Sequence, residues 1–123
     1  MAKSTNTYFN ALLPENSSQW KVIEGTDGLV EFLTLAEDDN GDYTRLTRFK
    51  VGADTSRFGA ISHFYPEEVF IVSGRMYDVS VERWLECGDY ASRPPHELHG
   101  PFKTDTECIV LEHSYLSQST KEQ

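Results

Sequence analysis

The sequence predicts an all-β fold, an antiparallel sandwich or barrel, on three observations. Short runs rich in Val, Ile, Phe, Leu and Tyr recur from Trp20 onward, Gly, Asp, Asn and Pro separate them, and no segment keeps a helical apolar period through several turns. The runs cover residues 20–23, 29–35, 44–51, 58–63, 69–72, 75–81, 90–93 and 108–115. Ahead of them, residues 1–19 are polar and close with Pro14 and Ser17-Ser18, so an N-terminal arm or short helix is expected there. Between the second and third runs lies Asp38-Asp39-Asn40-Gly41-Asp42, whose Asn-Gly pair suits a type I′ hairpin turn with positive φ at both central residues. Val69-Phe70-Ile71-Val72 is apolar without a break, which implies cover on both faces. One face would meet the barrel interior and the other a second subunit, giving a homodimer, or the folded N-terminal arm. The next run, 75–81, alternates imperfectly. Gly88-Asp89 makes a turn, residues 90–93 form a strand, and Pro94-Pro95 ends it. The barrel is expected over residues 20–116, with a frayed polar tail at 117–123.

Composition excludes several classes of partner. The chain has 123 residues, room for one domain, with 11 Lys and Arg against 20 Asp and Glu and a formal net charge of −9. Nucleic acid and anionic membranes both call for clustered basic residues, so neither is an expected partner. No apolar run approaches the length of a membrane span, and residues 1–18 lack the apolar stretch of a secretory signal. A cytoplasmic protein is the expectation. Cys87 and Cys108 lie too far apart for a Cys-x-x-Cys pair and read as small buried residues.

Three of the four histidines fall in two short segments. In the first, His63 and Glu67 bracket a tight Phe-Tyr-Pro connection before the apolar run at 69–72; in the second, His96 and His99 follow the double proline. Two imidazoles and a carboxylate from separate strands can form a 2-His-1-carboxylate face with open metal positions, suited to Fe(II) and also to Zn²⁺, Mn²⁺ or Ni²⁺. Glu68, beside Glu67, is expected to face away by strand alternation. Tyr65 shares the parity of His63 and Glu67, so its phenol either donates to a bound oxyanion or fills the barrel mouth. Arg93 either anchors a substrate carboxylate or makes a surface ion pair. His113 reads as structural or exposed, and Trp20 and Trp84 as core or contact aromatics.

At these residues the chain resembles the cupin superfamily. The first motif of that family runs Gly, five residues, His-x-His, three or four residues, Glu, six residues, Gly, and His63, Glu67 and Gly74 reproduce its second half. The second motif runs Gly, five residues, Pro-x-Gly, two residues, His, three residues, Asn, and Gly88, Pro94 and His99 keep that spacing. The wording around them looks most like the anti-sigma-factor cupins and the diketone or aryl-ketone dioxygenases. The resemblance covers about residues 43–115 and implies a jelly-roll barrel, a double-stranded β-helix. Four positions depart from the pattern: Thr55 for the leading Gly, Ile61 for the first His, His96 for the Gly of the second motif and Lys103 for its Asn. The site then holds three ligands (His63, Glu67 and His99), or His96 replaces the lost imidazole, or the site is vestigial. The function implied is a metal-dependent enzyme, foremost an Fe(II) dioxygenase, with Tyr65, Arg93 and His96 toward a small enol, diketone, phenol or carboxylate. A non-catalytic sensor and a metal-independent isomerase or epimerase with His63 and Glu67 as its acid–base pair are the alternatives.

Overall fold

In the computed structural model, which describes residues 4–5 and 8–120, most of the apolar runs become strands of two antiparallel sheets with the core between them. In chain order the strands are β1 (Ser4–Thr5), β2 (Lys21–Val22), β3 (Val30–Glu37), β4 (Tyr43–Phe49), β5 (Glu67–Ser73), β6 (Arg75–Asp78), β7 (Arg83–Glu86), β8 (Tyr90–Arg93), β9 (Phe102–Lys103) and β10 (Cys108–Ser114). Among the described residues one sheet runs β1-β3-β4-β10-β5-β8, with β2 paired to β3, and the other runs β7-β6-β9. This is the jelly-roll barrel expected. No helix among the described residues is long and apolar enough to cross a membrane.

Alternation explains the core. Along β5, Glu67, Val69 and Ile71 face inward, and so do Val110 of β10, Phe49 of β4 and Met76 of β6. Each such aliphatic side chain contributes roughly 1.5–3 kcal/mol by leaving water. Gly74 joins β5 to β6 at φ +71, and a Cβ there would stand 1.8 Å from the Glu107 carbonyl oxygen. Only glycine lets the chain cross from one sheet to the other at that point.

The outer faces divide differently from expectation. Ala11 and Trp20 pack on Leu33 with Phe9, Leu35 and Leu46, and the Trp20 indole donates to the Ala11 carbonyl at 3.1 Å. The described part of the N-terminal segment, from Phe9 to Trp20, therefore packs on β3 and β4 and not on β5. Within the single chain Phe70 and Val72 remain 42% and 38% exposed.

Four local expectations are corrected. Residues 58–63 are not a strand: Ser56–Phe58 forms a 3-10 turn, and only Ile61 bridges, to His99. Gly59 at φ +67 breaks the run, and its apolar residues line a cavity mouth where they lack a neighbouring strand. The hairpin at 38–42 forms, but of its residues only Gly41 takes a positive φ, because the Asp38 carboxylate accepts from the Asn40 and Asp42 amides and holds a different turn. Strand 75–81 stops at Asp78, whose carboxylate accepts from the Ser80 amide. Cys87 is exposed, whereas Cys108 is buried as expected. The short strands β7 and β9 carry too few apolar residues to stand out in the sequence.

Candidate metal centre

Glu67 opens β5 at a point where both neighbouring strands place a polar side chain beside it. The register sets Glu67 opposite Arg93 of β8 on one side and Ser114 of β10 on the other. Arg93 donates to Oε1 at 3.2 Å and the Ser114 hydroxyl to Oε2 at 3.4 Å. Glu67 is 6% exposed and Arg93 7%. The second guanidinium nitrogen of Arg93 lies 3.7 Å from Asp78, which is 2% exposed and accepts the Gly100 amide at 2.9 Å. One buried cation thus answers two buried carboxylates, and Asp78 ties the pair to the loop that carries His99.

The imidazoles approach the same carboxylate from the open side. His63 Nε2 stands 3.9 Å from Oε2 and His99 Nε2 3.8 Å from Oε1. Ligand atoms of His63, Glu67 and His99 all lie within 4.8 Å of one another. Backbone pairing brings the two histidines together: Ile61 and His99 exchange both amide hydrogen bonds at 2.9 Å, and the His96 amide donates to the His63 carbonyl at 2.8 Å. Burial holds the His99 pKa below its ordinary value; the Arg93 charge adds to this and Glu67 opposes it. The ring is therefore neutral near pH 7, the form that ligates metal. His99 Nδ1 faces the Glu97 carbonyl at 3.3 Å, a contact that leaves Nε2 as the lone-pair nitrogen turned toward Glu67. Two imidazoles and one carboxylate, each carboxylate oxygen facing one ring, suit a divalent transition metal.

The remaining candidates are distributed as follows. His96 points away from the group: its Nε2 is 2.9 Å from the Thr120 hydroxyl and its ring meets Phe64 edge-on. It therefore does not replace the missing imidazole, and it does not line the cavity as a substrate contact. The reason is backbone geometry, since His96 takes φ +73 where the cupin pattern has glycine. Tyr65 stacks on His63 with centroids 4.7 Å apart, so it orients that ring. Burial, with Tyr43 beside it, pushes its phenol well above the ordinary range, which keeps it a donor. Arg93 is not a surface pair: it is buried, lines the cavity and lies between Glu67 and Asp78. Glu68 faces outward as expected, receiving the hydroxyls of Tyr90 and Tyr115. His113 is outside too, 3.0 Å from the Thr44 hydroxyl.

Beneath the three ligand groups is a cavity of about 330 Å³, lined chiefly by apolar residues such as Val69, Met76, Phe49 and Phe102. The polar lining residues not singled out in the sequence include Arg45, Thr47 and Glu112. The signal was present, since Arg45 and Thr47 share the inward parity of Phe49 along β4. Burial, with the Glu67 carboxylate adding to it, pushes the Glu112 pKa up to about 7, while Arg45 and the Thr47 hydroxyl, donating at 3.0 Å, act the other way.

A carboxyl whose pKa is higher folded than unfolded favours the folded state in acid. Its contribution is full below the unfolded value of 4.5, declines as pH rises, and is lost above about 7. Glu112→Gln in metal-free protein is expected to leave stability unchanged at pH 4 and to raise it at pH 8, by at most roughly 3 kcal/mol. Urea titrations at both pH values measure this, and an equal effect at the two would contradict the assignment.

Comparison with known proteins agrees with the architecture. The family described as the ChrR Cupin-like domain matches residues 11–117. A curated relative, endo-1,4-beta-xylanase B of Cellvibrio japonicus, is 34% identical over 88 residues, which are 72% of this chain and 14% of that protein. The chain thus spans a small part of that relative's length. Among solved structures, an RmlC-like cupin from Shewanella frigidimarina is 19% identical with a TM-score of 0.69, covering 99% of this chain and 97% of that one. An acetylacetone dioxygenase from Acinetobacter johnsonii is 15% identical with a TM-score of 0.68, covering 93% and 77%. The structure of Rhodobacter sphaeroides SigE in complex with the anti-sigma ChrR gives 20% identity and a TM-score of 0.62, covering 78% and 49%. At these identities the structural likenesses establish the fold.

Proposed function

The chain belongs to the ChrR cupin-like domain family, and from that premise we propose that it is a metal-dependent enzyme acting on a small organic molecule, foremost an Fe(II) dioxygenase. The observation that carries this is the convergence of His63, Glu67 and His99 within 4.8 Å at one end of an apolar cavity. The acetylacetone dioxygenase neighbour supports the choice of oxygen chemistry. Bound Fe(II) would supply O₂ activation and Lewis-acid polarisation of an enol or enolate oxygen.

The chain's own residues do the rest. His99 and His63 present imidazole nitrogen donors, and Glu67 adds a charge that Arg93 orients through Oε1. Tyr65 keeps the His63 ring in plane by stacking, and Asp78 holds the His99 loop through the Gly100 amide. Phe49, Val69, Met76 and Phe102 exclude water from the cavity, which raises the weight of each polar contact inside it. A sensor without turnover is the second reading, favoured by the ChrR name of the family.

Elemental analysis after anaerobic loading with Fe(II), Zn²⁺, Mn²⁺ or Ni²⁺ tests the proposal. Wild type is expected to retain about one ion per chain and His99→Ala to lose it, since even outer-shell changes lower metal affinity about 10–100-fold. Wild type that retains no ion after every loading would remove the metal-dependent reading. Retention without O₂ uptake across enols, diketones, phenols and carboxylates would favour the sensor.

A further inference from the structure

Arg45 enters the cavity from β4 as a half-buried cation in an unusual state. Its guanidinium lies between two rings, 4.0 Å from the Tyr43 centroid and 4.4 Å from that of Phe32. Its Nε is buried and has no hydrogen-bond partner among the described residues. The other arginine lining the cavity, Arg93, is engaged by Glu67 and Asp78, whereas Arg45 makes no ion pair among the described residues. The nearest acid in register is Glu112, directly across the strand pair. That carboxyl takes the Thr47 hydroxyl at 3.0 Å, and no ion pair joins it to Arg45 among the described residues. A planar guanidinium that lines the cavity, held between two rings and without an ion-pair partner among the described residues, is a preorganised carboxylate receptor.

The sheet register relates this receptor to the ligand group. Glu67 and Ser114 share one row across the strands, and Val69, Glu112 and Arg45 share the next. Two strands and one inward step separate Arg45 from Glu67, a backbone distance of about 12 Å from standard sheet spacings. Both side chains project into the same cavity, so one short molecule can span the gap.

We propose that the cavity takes a small carboxylate-bearing substrate, with its carboxylate on Arg45 and its reacting end toward His63, Glu67 and His99. This rests on the metal-dependent reading above and narrows its substrate class.

The test is calorimetric titration of acetoacetate and of its uncharged methyl ester into the full chain, metal-free and Zn²⁺-loaded. Wild type is expected to bind acetoacetate at least ten-fold more tightly than the ester in both forms. Arg45→Gln and Arg45→Met are expected to reduce that preference to within two-fold, with ester affinity and metal content unchanged. Arg45→Lys keeps the cation without the fork and serves if the neutral variants do not fold; it should lose at least half of the preference. Equal binding of acid and ester by wild type would overturn the proposal, as would an unchanged preference in the variants. The metal-free arm separates the two readings. A protein that loads no metal but still prefers the acid through Arg45 loses the enzyme reading and keeps the receptor, and one that loads metal without the preference does the reverse.

Discussion

Glu67→Gln is expected to lower metal retention by at least about 100-fold while leaving the barrel folded. An amide keeps the shape of the carboxyl and can still accept from Arg93 at the position now 3.2 Å away. It removes the one negative charge in the three-residue group, so the divalent ion would be held by two neutral imidazoles alone. Loss of outer-shell partners already costs about 10–100-fold in affinity, and a ligand in direct contact must cost more. Metal content and thermal melting measured on the same sample decide the matter. A glutamine variant that retains metal as wild type does would show that Glu67 serves only as the partner of Arg93.

Arg93→Met is expected to cost about 3–5 kcal/mol of folding stability. Removing one member of a buried ion pair leaves the other charge unpaired in a medium that solvates it poorly, and that penalty is typically of this size. Here two acids lose their cation together, Glu67 at 3.2 Å and Asp78 at 3.7 Å. Asp78 also accepts the Gly100 amide, so the loop carrying His99 should loosen with it. Denaturant unfolding of metal-free protein measures the loss. Arg93→Lys should recover less than half of it, because a single ammonium cannot face two carboxylates as the guanidinium fork does. A loss below about 1 kcal/mol for methionine would mean that water already solvates these acids.

The cavity floor shows where sequence reading runs short. His63 and Glu67 are separated by one tight connection, and their spacing to Gly74 is a property of a single local segment. His99 keeps an equally local distance from Gly88 and Pro94. Such spacings survive in one dimension because turn geometry and strand parity set them. Arg93 is different. Its neighbours Glu67 and Asp78 lie on β5 and β6, and nothing near Arg93 in the chain indicates that both will face it. His96 misleads for a related reason: its side chain follows a backbone angle of φ +73, which the residue type does not announce.

Arg45 and Glu112 are the clearest instance. They are 67 positions apart in number, yet they stand directly opposite each other in the β4–β10 register. That pairing depends on which strands the barrel brings together, a choice made by burial of Val69, Ile71, Val110 and Phe49 over the whole core.

By itself, then, the sequence determined the all-β architecture, the approximate positions of most longer strands and the trio His63, Glu67 and His99. The architecture and strands follow from alternation and turn residues, which are local physics, and the trio from spacings that match the cupin motifs. Tertiary structure alone decided that Arg93 is buried between two acids, that His96 turns outward, that the N-terminal segment covers β3 and β4, and that Arg45 enters the cavity unpaired. Each depends on contacts between residues far apart in the chain. Strand register, which places such residues side by side, is settled only when the core as a whole is buried.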